Sequence, residues 1–193
     1  MIHNLAQGER VFTSNVFLVT GERTVLVDPG NDFDVCAKVR EHVDDLDAVV
    51  LTHTHSDHVG NTAAVVEAFD VDVWGFDPGH DLVDHAIADE GTVQLGDDEY
   101  VALHTPGHID DHLCFYAADP GILFAGDLVF ANGSFGRTDL PGGDRTTLIE
   151  SIDRVREWVD EDLREMHTGH GPSITNEPYR HVELAAQAAR SGV

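Results

Sequence analysis

Residues 52–61 read Thr52-His53-Thr54-His55-Ser56-Asp57-His58-Val59-Gly60-Asn61, which puts three histidines and an aspartate within six positions. The stretch follows the apolar run Ala48-Val49-Val50-Leu51, which reads as a buried strand, and precedes a helix-like run from Val59 to Phe69. The cluster therefore sits on a loop leaving the C-terminal end of a strand, where open α/β sheets commonly place their sites. His53 and His55 are two apart, so in extended chain they point the same way, with Cα atoms roughly 6–7 Å apart. Two imidazoles so placed converge on one metal. Asp57 and His58 follow where the chain turns into the helix and aim at a second.

Working outward, residues 10–13 (RVFT) and 15–20 (NVFLVT) read as two strands and residues 24–28 (TVLVD) as a third, an opening that resembles a β-meander. Asp28 ends a buried strand. It serves there either as a turn residue or as an acceptor that holds a ligand imidazole. Residues 33–43 carry apolar side chains at helical spacing, and Val71–Trp74 is a short strand. Residues 77–91 show no period and read as irregular, with His80 and His85 on a solvated surface. Strands follow at 92–95 and 100–103, joined by the Gly96-Asp97 turn, then at 113–117 and 122–125. Asp144 is placed to cap a helix over 145–159; residues 165–167 form a short strand and residues 179–190 a last amphipathic helix. The chain reads as a single domain, 1–193, built from two similar β-rich halves, each followed by helices.

Composition narrows the function. The 193 residues are 41% hydrophobic, enough for a substantial core. No apolar run approaches the roughly 18–20 residues of a membrane span. The N-terminus lacks the basic and apolar regions of a secretion signal, so a cytoplasmic location is expected. Thirty-six acidic residues face eleven basic ones, for a formal net charge of −25, and Lys38 is the only lysine. Nucleic-acid backbone binding relies on Lys and Arg displacing counterions, so a nucleic-acid partner is not expected. The acidic residues are dispersed, as on a protein from a salt-loving organism, where salt screens self-repulsion. Cys36 and Cys114 are far apart and form no C-x-x-C pair, so both read as buried small hydrophobes in a reducing compartment.

Further ligand-type residues fall just past strands: His108 in Thr105-Pro106-Gly107-His108, Asp127 after Ile122–Gly126, and His170 in Thr168-Gly169-His170-Gly171. A carboxylate at the end of an apolar strand is costly to bury without a cation. Two metals need about this many ligands, with room left for water. A simple division gives His53, His55 and His108 to one ion, Asp57, His58 and His170 to the other, and Asp127 to both. Two ions roughly 3.5–4 Å apart share a hydroxide, lower its pKa and polarise a carbonyl or phosphoryl oxygen.

THTHSDH, followed in order by TPGH, AGD and GHG, resembles the metallo-β-lactamase superfamily over essentially the whole chain. The resemblance implies an α/β fold, a four-layer αβ/βα sandwich with two facing sheets, helices outside and the site at one edge. Within the superfamily, THTHSDHVGN and LFAGDLVFANGSFGRTDLPGGD look like the glyoxalase II group, the hydroxyacylglutathione hydrolases. That likeness implies hydrolysis of a small-molecule thioester such as S-lactoylglutathione by a metal-bridging hydroxide. It implies two divalent ions, zinc first and iron or manganese as alternatives, and Asp57 as the catalytic residue that orients the hydroxide. Longer members carry a C-terminal helical domain that helps to hold glutathione; about twenty residues follow Gly171 here, so the chain resembles a short form. Arg137 is the candidate contact for an anionic substrate, with a structural salt bridge as its alternative role. Persulfide dioxygenases share much of the pattern but use a single iron, and they are the rival reading. A non-catalytic domain held together by metal is the alternative of another class. The sequence leaves the oligomeric state open.

Overall fold

The computed structural model describes residues 1–191. The chain divides into two compact units. One holds Met1–Ile87 with Thr92–Glu99; the other holds Ala88–Gly91 and the chain from Tyr100 onward.

In the first unit the strands β1 (Ile2–Asn4), β2 (Phe17–Val19), β3 (Val25–Val27), β4 (Ala48–Val50), β5 (Val73–Gly75) and β6 (His85–Ala86) lie side by side in sequence order. The pairs from β1 to β3 are antiparallel and those from β3 to β6 are parallel. The change of sense falls where α1 (Val35–Arg40) enters as the crossover from β3 to β4. Asp34 caps α1 by accepting from the Ala37 N–H at 3.0 Å. Leu18, Leu26 and Val49 pack with Val35 and Val39 of α1 and with Val65 and Phe69 of α3 (Thr62–Phe69). Their alternates Phe17, Val19, Val25, Val27, Ala48 and Val50 are buried as well. Burial on both faces is why β2, β3 and β4 read as unbroken apolar runs.

The second sheet has the order β11-β10-β9-β8-β7, where β7 is Thr92–Leu95, β8 Asp98–His104, β9 Leu113–Ala117, β10 Ile122–Gly126 and β11 Glu165–Thr168. β9 pairs antiparallel with both β8 and β10, and β10 pairs in parallel with β11 after the crossover helix α4 (Arg145–Trp158). Leu103, Cys114, Leu123, Ala125 and Met166 form one core with Leu148, Ile152 and Val155 of α4 and with Val182, Ala185 and Ala189 of α5 (Pro178–Ser191). Asp144 caps α4, accepting from the Thr147 N–H at 2.7 Å.

Some local expectations change. Residues 10–13 form no strand; the first strand is Ile2–Asn4, and Val11 and Phe12 are exposed on the connection to β2. Two neighbouring apolar residues with no alternation to either side do not specify a buried face. The helix expected from Val59 is two pieces, a single turn α2 (Ser56–Val59) and then α3. His85 lies in the edge strand β6, with its ring on Trp74 at 4.5 Å and its Nε2 2.9 Å from Asp72 Oδ2. Both cysteines are buried and free, as expected.

Candidate metal centre

In the first unit the ligand-type residues leave β4 together. His53, Asp57 and His58 are buried, and His55 is half-buried at the residue before α2. The ring centroids of His53 and His55 are 4.9 Å apart and those of His53 and His58 are 3.9 Å apart. The turn is held from outside. The Ser14 N–H donates to Asp57 O at 3.0 Å, the Gly30 N–H donates to His58 O at 2.8 Å, and the Asn61 N–H donates to Gly30 O at 2.9 Å. Gly30 has φ +70, and a Cβ there would meet the Thr13 hydroxyl and Val16.

Asp28, buried at the end of β3 with φ 53, is the hub beneath these rings. Its Oδ1 accepts from the Thr52 N–H at 2.8 Å, and its Oδ2 accepts from the Thr52 hydroxyl at 2.6 Å. His58 Nδ1 lies 2.8 Å from the same Oδ2. A carboxylate only accepts, so His58 carries its hydrogen on Nδ1 and donates it to Asp28. The Thr52 hydroxyl has spent its one hydrogen on Asp28, so it accepts from His53 Nδ1 at 3.1 Å. Both rings therefore turn Nε2 toward the site as a lone pair, the form a metal needs. Asp28 is thus the acceptor of an imidazole N–H as well as of the Thr52 N–H and hydroxyl. Thr52, the relay between Asp28 and His53, was not singled out from sequence.

In the second unit each ligand-type residue comes from its own strand end. His108 follows β8 through Gly107, whose φ is +124 and whose absent side chain leaves room for Leu148 of α4. His108 Nδ1 donates to Arg137 O at 2.7 Å, which again leaves Nε2 as the lone pair. Asp127 follows β10, whose pairing with β11 shifts register between Phe124 and Gly126. Asp127 Oδ2 lies 3.4 Å from His108 Nε2 and 3.5 Å from His170 Nε2, so one carboxylate oxygen is near both rings. Gly136 packs on the Asp127 carbonyl so closely that a Cβ would collide with it. His170 is partly exposed, and its carbonyl accepts from the Thr168 hydroxyl at 2.7 Å. The Arg137 side chain is exposed and forks onto Asp139 at 2.9 and 2.8 Å. The pair holds the guanidinium above its usual range and the carboxyl below. The main-chain carbonyl of Arg137, not its guanidinium, is what meets His108.

All seven residues are side chains that could hold a metal ion, His53, His55, Asp57 and His58 in the first unit and His108, Asp127 and His170 in the second. Imidazole nitrogens with carboxylate oxygens are a donor set for zinc, iron or manganese, and three rings are already held in the ligating tautomer, so these residues fit divalent ions.

His112 was also missed by sequence. It is buried, its Nε2 accepts from the Asp127 N–H at 2.9 Å, and its Nδ1 lies 2.8 Å from the Thr105 hydroxyl. It lacked ligand spacing to any neighbour, and only the recurrence of His four residues after His108 could have drawn attention to it. His167 on β11 is buried, with burial pushing its pKa down to about 4. Its Nδ1 is 2.8 Å from the Ser173 hydroxyl.

Comparison with known proteins agrees with this order of motifs. Residues 10–170 match the model of the metallo-β-lactamase superfamily. The chain is 30% identical over 189 residues to the hydroxyacylglutathione hydrolase GloC of Haemophilus influenzae, covering 85% of this chain and 88% of that protein. Among solved structures it is similar to TTHA1623 in a di-iron-bound form, with 32% identity, a TM-score of 0.74 and coverage of 97% of this chain and 96% of that one. It is also similar to BLEG-1, a B3 metallo-β-lactamase, with 28% identity, a TM-score of 0.75 and the same coverage. The mixed α/β fold with two sheets is the one these relatives share, and with the match spanning both ligand arrays, the chain belongs to the metallo-β-lactamase superfamily.

Proposed function

We propose that this chain is a dinuclear metallohydrolase that cleaves a small-molecule S-acyl thiol, the reaction type of glyoxalase II. The observation that carries the reading is that His53 and His58 in one unit and His108 in the other are each held with Nδ1 donating and Nε2 left to ligate, beside the buried carboxylates Asp57 and Asp127. The likeness to a hydroxyacylglutathione hydrolase over most of both chains supports the thioester as the bond broken. When bound, the two ions supply Lewis acidity toward the acyl carbonyl and lower the pKa of water to near neutrality. His53, His55 and His108 would hold one, Asp57, His58 and His170 the other, with Asp127 as a further ligand. Asp57 also orients the attacking water. Water adds its oxygen to the acyl carbon, the C–S bond breaks, one of the water's protons goes to the departing sulfur and the other to solvent, and carboxylate and thiol leave. Arg137 meets an anionic substrate group by releasing its exposed fork to Asp139. Zinc is the native metal in this reading, and the di-iron form of TTHA1623 supports iron as the alternative.

The test is release of thiol from a lactoyl thioester by metal-loaded protein, before and after chelation. Turnover that chelator removes and added metal restores is the expected result. No thiol release from protein holding two ions would contradict the proposal, and oxygen consumption with a persulfide would transfer it to the dioxygenase reading. The net charge of −25 further supports a cytoplasm rich in salt as the working environment. Loss of secondary structure by circular dichroism on dilution of salt is expected, and a full spectrum in dilute buffer would contradict it.

A further inference from the structure

We infer that His112 is a positioning residue that sets where Asp127 meets the metal pair. The inference rests on the reading of Asp127 as a metal ligand. The ladder of β10 with β11 breaks between Phe124 and Gly126, and Gly126 takes φ 48. Asp127 therefore leaves the sheet with a buried N–H that the ladder no longer receives, and such a donor needs an acceptor. His112 Nε2 is that acceptor at 2.9 Å.

The ring is itself fixed by an ordered chain of donors. A backbone N–H only donates, so Nε2 is the bare nitrogen and Nδ1 carries the hydrogen. Nδ1 donates to the Thr105 hydroxyl at 2.8 Å. That hydroxyl has Cys114 Sγ and Leu103 O as acceptors, both at 3.4 Å, and the Cys114 thiol donates to Ala125 O at 3.5 Å. Ala125 lies two residues before Asp127, so the chain starts at Asp127 and returns to the strand that carries it. His112, Thr105 and Cys114 are all fully buried. On the far side, Gly136 closes on the Asp127 carbonyl. The main chain of Asp127 is thus clamped at its N–H and at its C=O. The Oδ2 so placed lies 3.4 and 3.5 Å from the Nε2 atoms of His108 and His170.

The experiment compares three proteins in high-salt buffer: wild type, His112→Phe, which keeps a ring but no acceptor, and His112→Gln, whose Oε1 is as many bonds from Cα as Nε2. Metal-free protein is titrated calorimetrically with zinc, and the absorption spectrum of the cobalt-loaded form is recorded. Expected is a drop of about 10–100-fold in affinity for the more weakly held ion in the Phe variant, the size typical for loss of a group that orients a ligand. Its cobalt bands should shift, and the Gln variant should recover both. A purely structural role would lower thermal stability but leave affinity and spectrum unchanged in the folded fraction, which would overturn the inference. Should the Phe variant not fold, His112→Asn, one bond too short to reach, takes its place, with weakened binding beside an unimpaired Gln variant again expected and equal binding by both overturning it. Wild type that takes up no second equivalent would refute the dinuclear reading itself and with it this role of His112. Two equivalents without thioesterase turnover would refute only the proposed substrate.

Discussion

His53, His55, Asp57 and His58 leave a single strand within six residues, and two of their rings are set by one carboxylate, Asp28. His108, Asp127 and His170 come from three separate strand ends, and their settings come from main-chain groups: the Arg137 carbonyl behind His108, the amide of Asp127 on His112, the His170 carbonyl on Thr168. The first array is local in sequence and depends on a side-chain hub. The second is dispersed and depends on the sheet, its register break and its glycines. Contiguity lets one acidic residue orient two imidazoles at once, His58 directly and His53 through Thr52. Dispersal requires each ligand to be held where its strand stops.

The largest effect that would sharpen this contrast is at His58, the fully buried ring that Asp28 holds directly. His58→Ala should abolish turnover and leave one metal equivalent per chain by elemental analysis, with the far-ultraviolet spectrum unchanged. Two tightly held ions in that variant would break the division of ligands. Next is the hub. Asp28→Ala strands the Thr52 N–H and hydroxyl and the His58 Nδ1–H in a buried place, at a cost of about 3–5 kcal/mol in denaturant unfolding of the metal-free protein. A loss near zero would mean that the first array is not organised by Asp28. The second array has no such hub, and no single side-chain removal around it should match that cost.

A smaller effect concerns the strand beneath His170. The pKa of folded His167 is about 4, below the ordinary 6.5, because burial disfavours the charged ring even with Glu165 Oε2 at 3.4 Å, a carboxylate that is itself half exposed. Between those values the unfolded chain binds the proton and the folded chain does not. Stability from this group is whole above about pH 6.5 and is lost as pH falls toward 4, on the order of 3 kcal/mol in all. His167→Gln should flatten that part of the stability profile, and an unchanged slope would reject it. The smallest effect is at Asp144, whose N–H donates to Gly107 O at 2.8 Å beside His108 while its carboxylate caps α4. Asp144→Ala should lower the melting temperature slightly and leave metal stoichiometry unchanged. Its carboxyl is held below the usual range by the Thr147 N–H, so the cap's contribution fades only as pH falls through that lowered value.

The same contrast explains what the sequence made legible. A histidine or aspartate at the end of a buried apolar run is visible without a structure, as His53 is after Ala48–Leu51, Asp127 after Ile122–Gly126 and Asp28 after Val25–Val27. The strands that carry them were legible because burial on both faces writes continuous runs such as Ala48–Leu51 and Ile122–Ala125. Residues that act through a neighbour were not legible. Thr52 looks like any threonine until Asp28 is seen to accept from it, and His112 looks like a surface histidine until the register break exposes the amide it receives. The reading of Arg137 looked to its charge, while the contact with His108 is made by its carbonyl, which no sequence distinguishes. Val11 and Phe12 read as strand because their apolarity implied burial, and both lie exposed on a connection.

The central claim is that the two arrays hold a pair of ions that share Asp127. Loading the metal-free protein with manganese and recording its electron paramagnetic resonance spectrum tests it most directly. Two equivalents per chain with the spectrum of an exchange-coupled pair, and loss of that coupling in Asp127→Ala, is the predicted result. A spectrum of isolated ions, or saturation at one equivalent in the wild type, would contradict it.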